Sequence, residues 1–512
     1  MALQAPPRVS AIRALFYPRV VAMLFLGFSA GLPLLLIFSS LSLWLREAGV
    51  ERASVTYFSW AALGYSFKFV WAPLVDQLPL PLLTRSLGRR RAWLLLAQGA
   101  IIVAILWLAM IDPSSSESSL TLMALAAVML GFSSATQDIV IDAYRIESAA
   151  AEMQALMSAT YIAGYRVGML TAGAGSLWLA DWFGSSSEAY DYAAWQWTYC
   201  AMALAMGVGV ITTLIIREPE TEAGRDYAYG SREYARFLLL FAVVIGSFIG
   251  IFFFSGDAIE VVKSRLGGAF FVAFSMEGLR LVLALGGAWL LAMGLVASGA
   301  VDRDIVERTY LRPVRDFFTR YGWSLAWILL ALIGLYRISD IVLGVIANLF
   351  YQDLGFSKSE IAGVVKTFGL LMTIVGGFVG GLLALRFGVL RILTLGALLS
   401  AATNLLFMWL AGIGNDIIGL YIVISADNLS AGIASAAFVA FLSSLTNVSF
   451  TAMQYAIFSS LMTLIPKLLG GYSGSMVDAM GYPSFFLLTA LLGLPVLMLI
   501  ALASKRLRLH GD

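Results

Sequence analysis

The chain has 512 residues, of which 60% are hydrophobic and only 12% are charged. A soluble domain carries roughly a quarter charged residues, so a soluble fold is excluded and lipid is the expected solvent. A net charge of +2 with no basic stripe argues against a nucleic-acid partner. The single cysteine, Cys200, and the single histidine, His510, exclude a disulfide framework, a Cys- or His-based metal site and imidazole proton relays.

Apolar windows of about 20 residues each qualify as spanning helices. In chain order they predict a set of about six, an inserted pair and a second set of about six, which makes about fourteen spans of an all-α integral membrane protein. The windows are 19–44, 53–75, 92–111, 120–144, 152–181, 195–216, 236–256, 268–298, 322–350, 359–384, 391–412, 416–445, 450–477 and 482–503. The polar stretches between the sets predict three parts, namely an N-terminal bundle (1–216), a linker with two extra spans and an amphipathic segment (217–321) and a C-terminal bundle (322–512).

The short connections carry most of their lysines and arginines on one side of these spans. By the positive-inside rule that side is cytoplasmic, and both termini lie on it. The residues on this side include Arg8, Arg13, Arg85, Arg89, Arg90, Arg91, Arg145, Arg217, Arg303, Arg312, Arg386, Arg391 and Lys505, whereas the other side has chiefly Arg46, Arg52, Lys263, Arg265 and Lys358.

The two large sets resemble one another. Met153 and Gln154 open the fifth span, and Met453 and Gln454 open its counterpart, 300 positions later. Two parallel halves related across the membrane normal resemble the major facilitator superfamily, in which the substrate site lies between the halves near the midplane. The inserted pair is an addition to that layout.

An acid and a run of arginines follow the second span. Asp76 is followed by Arg89 and Arg90, and the matching connection of the second half carries Arg386 and Arg391. Leu385 replaces the acid in the second copy. Resemblance to the facilitator signature implies gating, in which Asp76 holds the cytoplasmic side closed by contacting Arg145 and the N-terminus of a span near Ser449 and Thr451. Positive-inside topology alone would also explain the arginines.

The fourth span ends with two acids on one helix face. Asp138 and Asp142 are four positions apart, and Arg145 follows three positions later. Two stacked carboxylates repel, so one of them is expected to carry a proton, and we assign proton coupling to this pair. The alternative is that both acids simply pair with arginines at the cytoplasmic rim.

Several strings distributed along the chain are similar to the AmpG muropeptide permeases. They are FKFVWAPLVD (67–76), GRRRAWLL (88–95), ATQDIVIDA (135–143), GYRVGML (164–170) and VKTFGLLMTIVGG (365–377). The resemblance implies import of N-acetylglucosaminyl-1,6-anhydro-N-acetylmuramyl peptides (anhydromuropeptides) from periplasm to cytoplasm. It further implies a proton gradient as the driving force with no cofactor, a location in a Gram-negative inner membrane, and indirect support of AmpC β-lactamase induction.

Charged and polar residues inside the spans suit such a substrate, because mid-membrane ions usually line a wet pathway. Cations are expected to bind the peptide carboxylates, acids the amine, and amides or aromatic rings the sugars. The predicted substrate-binding residues are Lys68, Gln137, Tyr165, Arg166, Arg337, Asp340, Lys366, Asp427, Asn428 and Lys467, with Trp60, Tyr65, Tyr161 and Tyr336 as further stacking candidates. The alternative for each cation is an internal ion pair, for example Arg337 with Asp340.

Other functions stay open at this point. A related carrier of another bulky anion of the acetyl-CoA type, a membrane-embedded transferase and a non-transporting sensor would share this composition. We expect a monomeric transporter in contact with lipid and protons, without metal and without enzymatic activity.

Overall fold

The computed structural model describes residues 14–50, 67–80, 83–150, 153–186, 189–219, 231–265, 270–357, 360–470 and 473–511. Within these ranges the chain is helical and contains no strand, which confirms the predicted all-α class. The principal helices are α1 (Pro18–Leu35), α2 (Ala72–Gln77), α3 (Arg89–Ala109), α4 (Glu117–Ser148), α5 (Gln154–Leu170), α6 (Tyr192–Ile215), α7 (Ser231–Phe254), α8 (Phe270–Ala297), α9 (Arg312–Leu335), α10 (Ile338–Asp353), α11 (Gly369–Phe387), α12 (Val389–Ile413), α13 (Ile417–Leu445), α14 (Thr451–Gly470), α15 (Ser473–Leu491) and α16 (Gly493–Gly511).

Length and hydropathy identify 11 candidate membrane spans within the described residues, and Val282–Ala297 is a shorter apolar helix. Most of the second predicted span (53–75) lies outside the described residues. Several other spans are built from two consecutive helices. The segment Thr171–Gly175 at the end of α5 and the segment Ile361–Phe368 before α11 are π-helical, a local widening that is common at functional sites.

The two halves repeat one another in backbone detail. Gly88 precedes α3 with φ 87°, and Gly388 precedes α12 with the same φ of 87°, a left-handed conformation that favours glycine. Ser116 caps α4 by accepting from Ser119 N, and Asp416 caps α13 by accepting from Ile418 N. These pairs lie 300 positions apart, as do the glutamines Gln154 and Gln454, so the internal repeat extends to turns and helix caps.

Glycines let helices within each half approach to backbone contact. A Cβ atom at Gly164 of α5 would overlap the carbonyl oxygen of Leu24 on α1, and one at Gly31 would overlap the carbonyl oxygen of Tyr165. Gly376 of α11 meets the backbone of Leu429 on α13 in the same way. Small residues of this kind are typical of membrane helix interfaces, where close van der Waals packing replaces the hydrophobic effect.

Contacts divide the chain into two compact units. The larger contains both halves, covering 1–76, 80–223 and 317–512, and the smaller contains 77–79 and 224–316. Within the smaller unit, α7 and α8 pack together, and Arg280 of α8 donates from Nε to the carbonyl oxygen of Phe252 at 2.7 Å. The same guanidinium lies 4.0 Å from the centroid of the Phe252 ring, which gives this mid-helix cation a partner inside the pair.

We expect Gly164→Ala to destabilise the protein by about 1–3 kcal/mol, because the added methyl group forces α5 away from α1. Gly207→Ala in α6 is the matched control, since a Cβ there meets nothing within 4 Å. The thermal unfolding midpoint of both variants in one detergent checks the prediction. Equal midpoints for the two variants would contradict it.

Candidate functional site

Asp76 joins the two halves of the larger unit at the end that the arginine count predicts to be cytoplasmic. Its buried carboxylate accepts hydrogen bonds from the backbone N–H groups of Ala452 (3.2 Å) and Met453 (2.9 Å). These donors form the first turn of α14, whose remaining N–H groups and dipole favour a negative charge. An acid of the N-terminal half therefore caps a helix of the C-terminal half, near the position that the resemblance indicated.

The arginine beside Asp76 is Arg90. Its Nη2 lies 2.8 Å from Asp76 Oδ1 and 2.5 Å from Glu147 Oε1, and its Nε lies 2.9 Å from Glu147 Oε2. Arg89 donates to the Asp76 carbonyl oxygen. The prediction that Arg145 pairs with Asp76 is wrong, because Arg145 pairs with Asp142 on its own helix and Arg90 fills the place beside Asp76.

Arg145 makes a second connection between the halves. Its Nη1 donates to Ser443 of α13 at 2.8 Å, and its guanidinium lies 5.2 Å from the ring centroid of Tyr455 on α14. Nη1 also donates to Gln154 Oε1 at 3.0 Å, while Gln154 Nε2 donates to the Arg145 carbonyl oxygen at 3.1 Å. The side chain is fully buried, so these bonds hold it in one position between the halves.

Helix packing closes the same end. A Cβ at Gly381 of α11 would lie 3.2 Å from the carbonyl oxygen of Ala155 and 3.2 Å from Cβ of Ala159, both on α5. The N- and C-terminal halves are thus in backbone contact next to Asp76 and Arg145. In this structure the larger unit is closed at the predicted cytoplasmic end.

The second copy of the arginine motif is placed differently. Arg386 and Arg391 are exposed, and Arg386 lies 5.3 Å from the Phe387 ring centroid. Neither makes an ion pair with a carboxylate among the described residues. The second copy has Leu385 in place of the acid, so the motif offers these arginines no carboxylate. The structure does not bring these two predicted gating residues into the contact between the halves.

Elsewhere in the N-terminal half, Asp138 and Asp142, the two acids on one face of α4, have different partners. Asp142 Oδ2 lies 3.8 Å from Lys68 Nζ and its Oδ1 lies 3.3 Å from Arg145 Nη2. Asp138, one turn along α4, accepts only a long bond of 3.4 Å from the Tyr161 hydroxyl among the described residues. Lys68 and Asp142 thus form the internal ion pair that the sequence left open as an alternative.

Gln137 lies next to Asp138 and is 0% exposed. Neither its amide oxygen nor its amide nitrogen has a hydrogen-bond partner within the described part of the chain. A buried amide without partners costs roughly 1–3 kcal/mol. A ligand that donates and accepts hydrogen bonds would satisfy both atoms of this amide.

Arg166 of α5 is half-buried and has no carboxylate partner in the described ranges; its polar contact is Met169 Sδ at 3.9 Å. The charge of Arg337, which belongs to the other half, acts on the Arg166 guanidinium. Arg166 and Arg337 are thus two like charges contributed by opposite halves. Such a pair repels until an anion binds between them.

Arg337 lies at the junction of α9 and α10 and has acidic neighbours on its other side. Its Nε is 3.1 Å from Asp340 Oδ2, and its Nη1 donates to Ser435 at 2.8 Å. Asp427 of α13 accepts a hydrogen bond from Thr403 Oγ1 at 3.4 Å.

The remaining predicted residues have various surroundings. Lys366 is exposed and donates to Asn348 at 3.0 Å, and Asn428 accepts from Thr373 at 2.9 Å. Tyr336 is buried, stacks on Phe438 at 4.2 Å and donates to the Leu393 carbonyl oxygen, so it supports packing rather than sugar binding. Tyr165 packs near Tyr161 with ring centroids 6.0 Å apart. Trp60, Tyr65 and the side chain of Lys467 lie outside the described residues.

Sequence reasoning missed several partners at the closed end. Glu147 pairs with Arg90, and Glu218 accepts from the backbone N–H of Arg90 at 2.7 Å at the start of α3. Gln454 accepts from Arg320 at 3.0 Å, much as Gln154 accepts from Arg145. The repeated Met-Gln motif was the available signal for the two glutamines, whereas nothing in the local sequence singles out Glu147.

The fold and the site together define a membrane transporter of the facilitator type. The family model for the Major Facilitator Superfamily matches residues 20–339. A "Putative transporter AmpG 4" from Rickettsia conorii is 30% identical over 94% of this chain and 95% of its own length. The "Anhydromuropeptide permease" of Escherichia coli (strain K12) is 30% identical over 97% of this chain and 82% of its own length. The chain therefore belongs to the Major Facilitator Superfamily and, within it, to the AmpG permeases.

Solved structures agree with this fold. The transporter FucP, described in the outward conformation, aligns with a TM-score of 0.58 at 12% identity, covering 96% of this chain and 99% of FucP. The proton:xylose symporter XylE aligns with a TM-score of 0.54 at 12% identity, covering 96% of this chain and 95% of XylE. Identities this low establish the shared fold alone.

We expect Asp76→Asn to weaken the closed end by about 1.5–3 kcal/mol, because a charged acceptor at a helix N-terminus and its arginine partner are lost. In a Cys200→Ser background, a cysteine introduced by Ser158→Cys should then react at least about tenfold faster with a thiol reagent. Asp416→Asn, at an exposed cap on α13, is the control. Unchanged labelling with Asp76→Asn would contradict the prediction.

Proposed function

We propose that this permease imports anhydromuropeptides from the periplasm to the cytoplasm, together with protons. The observation that carries the proposal is the 30% identity, over nearly the whole chain, to a protein named for that substrate. We further propose a bacterial inner-membrane location with both termini cytoplasmic, a monomer, no cofactor and no catalytic step. Import of this kind would support AmpC β-lactamase induction indirectly by delivering muropeptides to the cytoplasm.

The substrate's chemistry fits polar groups that the two halves contribute. A peptide carboxylate placed between Arg166 and Arg337 replaces their repulsion by two charge-assisted hydrogen bonds, and planar guanidinium groups suit carboxylates particularly well. The amide of Gln137 can donate to and accept from the N-acetyl and hydroxyl groups of the sugars. Both halves therefore contribute to one binding site.

For the N-terminal half we assign proton binding to Asp138 rather than to Asp142. Asp142 already has two cations close by, Lys68 at 3.8 Å and Arg145 at 3.3 Å. Asp138 has a single hydroxyl partner at 3.4 Å among the described residues, so its carboxyl group is available to gain and lose a proton. Asp76, Arg90 and Arg145 serve as the inner gate in this proposal.

A related carrier of another bulky anion remains the second candidate, because the two arginines would also bind phosphate groups. Uptake of a labelled anhydromuropeptide into proteoliposomes, with and without a pH gradient, tests the leading proposal. Excess unlabelled muropeptide should compete and excess acetyl-CoA should not. Competition by acetyl-CoA alone would favour the second candidate.

We expect Arg166→Ala to raise the KM for anhydromuropeptide uptake about 10- to 100-fold, because one charge-assisted interaction of about 1.5–3 kcal/mol is lost. Arg166→Lys should fall in between, since it keeps the charge but loses the planar fork. Arg391→Ala, an exposed arginine, is the control. A KM unaffected by Arg166→Ala would remove this residue from the site.

We expect Asp138→Asn to abolish accumulation driven by a pH gradient, since an amide cannot gain or lose the proton. The measurement is the steady-state level of labelled muropeptide in proteoliposomes with an acidic exterior. Asp181→Asn changes an exposed acid in the same half and should accumulate substrate normally. Full accumulation by Asp138→Asn would contradict the assignment.

A further inference from the structure

Three aromatic rings and a carboxylate lie together in the N-terminal half, at the end that the arginine count predicts to be periplasmic. Trp44 stacks on Trp195 with ring centroids 5.7 Å apart, and its ring lies 4.8 Å from that of Tyr199. Glu47, three positions after Trp44, accepts hydrogen bonds from Trp195 Nε1 and from Ser185 Oγ, both at 2.8 Å. The three rings and Glu47 are hereafter called the N-terminal outer cluster.

The C-terminal half contains the same arrangement, built from different residues. The Phe350 ring lies 4.9 Å from the Tyr482 ring and 4.7 Å from the Phe486 ring. Asp353 follows Phe350 by three positions and accepts a hydrogen bond from the Tyr482 hydroxyl. These three rings and Asp353 are hereafter called the C-terminal outer cluster. In each cluster the second and third rings are four positions apart on one helix.

The sequence repeat does not predict the two clusters. Turns and caps recur at a spacing of 300 residues, but neither the two acids nor the rings bonded to them share that spacing. What recurs is a place in the fold, because the acid ends the first span of each half and its aromatic donor begins the sixth. Tyr482 begins its helix directly after Gly481, whose φ of 76° breaks the preceding one. An arrangement that recurs with different side chains indicates a requirement common to both halves.

The first span of each half is interrupted below its outer cluster. In the N-terminal half, Leu36–Ser40 is π-helical and separates α1 from the outer helix Leu41–Glu47. In the C-terminal half, α9 ends at Leu335 and α10 begins at Ile338, with Arg337 between them outside helical geometry. Such interruptions are points at which helices bend. Each outer segment therefore needs a further attachment if it is to move with the rest of its half.

The outer clusters supply that attachment. Trp44, Trp195 and Phe350 are fully buried, so separating the two helices of a cluster exposes large rings and removes the donor of a carboxylate. Both helices of each cluster belong to the same half. The bonds of Asp76 and Arg145 at the other end run between the halves, so a movement that separates the halves there leaves the outer clusters intact.

We propose that Glu47 and Asp353 are positioning residues that fix the outer segment of each interrupted span to the sixth helix of its half. With these bonds in place, the outer entrance opens and closes through movement of whole halves, the kind of motion by which facilitators alternate access. Without them, each outer segment turns about its interruption independently of its half. The inference rests on the proposed function, because it assumes a transport cycle in which the halves move.

Hydrogen–deuterium exchange of the purified full-length protein tests the attachment without any substrate. Glu47→Leu should raise amide exchange at least about tenfold in Leu41–Glu47 and also in the first turns of α6, because a hydrogen bond to a charged acceptor is lost. Glu47→Gln keeps an acceptor for the Trp195 N–H and should restore slow exchange. Tyr482→Phe removes a single oxygen atom and should act in the same way on the end of α10 and on 482–486.

Uptake of labelled anhydromuropeptide into proteoliposomes distinguishes positioning from a contribution to folding alone. Glu47→Leu and Tyr482→Phe should lower kcat about threefold or more and leave KM unchanged, because closure is impaired and binding is not. Glu360→Leu is the control. Its carboxylate lies at the same predicted end and accepts from the backbone N–H of Ser357 at 2.8 Å, so kcat and exchange in both clusters should stay as in the unmodified protein.

Three results would overturn the inference. The first is unchanged exchange in Glu47→Leu and Tyr482→Phe. The second is faster exchange confined to the outer segment of the first span, with the sixth helix unaffected. The third is a normal kcat in both variants despite faster exchange, which would make the clusters contributors to stability alone. If the unmodified protein takes up no muropeptide, the proposed function fails, and the exchange comparison still decides whether the clusters hold the outer segments.

Discussion

Ionic groups inside an apolar helical bundle must be neutralised by one another or by a ligand, and the architecture of this permease follows from that constraint. Asp76 is tolerated in the interior because the first turn of α14 and Arg90 surround it with donors. Asp142 of α4 likewise lies within 3.8 Å of Lys68 and 3.3 Å of Arg145. Each charged cluster fixes the position of the helices that carry it, because separating its members would leave buried charges unpaired.

Backbone features are repeated between the halves, but charges are not. The turns at Gly88 and Gly388 and the caps at Ser116 and Asp416 recur at a spacing of 300 residues. The acid does not recur, because the second copy of the arginine motif has Leu385 in place of Asp76. The repeat therefore specifies a shared scaffold. Departures from the repeat place a single gating acid, Asp76, on the N-terminal half and the helix N-terminus that binds it on the C-terminal half.

The sequence predicted much of the fold because its signals are local. Apolar length defines the spans, and the Met-Gln repeat relates the halves without any knowledge of their packing. The partner of a given charge could not be predicted, since it depends on distances between helices far apart in the chain. Spacing of three suggested the Arg337–Asp340 pair, and the structure shows it, but Arg90 reaches Glu147 across 57 positions.

The two arginines of the proposed site relate charge balance to a movement of the halves. Arg166 and Arg337 belong to different halves and carry like charges that repel, while Asp76 and Arg145 hold the halves together at the predicted cytoplasmic end. A bound carboxylate converts that repulsion into attraction through one shared anion. Under the proposed function, substrate binding therefore draws the halves together around the site, and the closed end becomes the one that can separate. A ligand can shift such an equilibrium only by its differential affinity for the two states, and a site divided between two moving halves provides that difference.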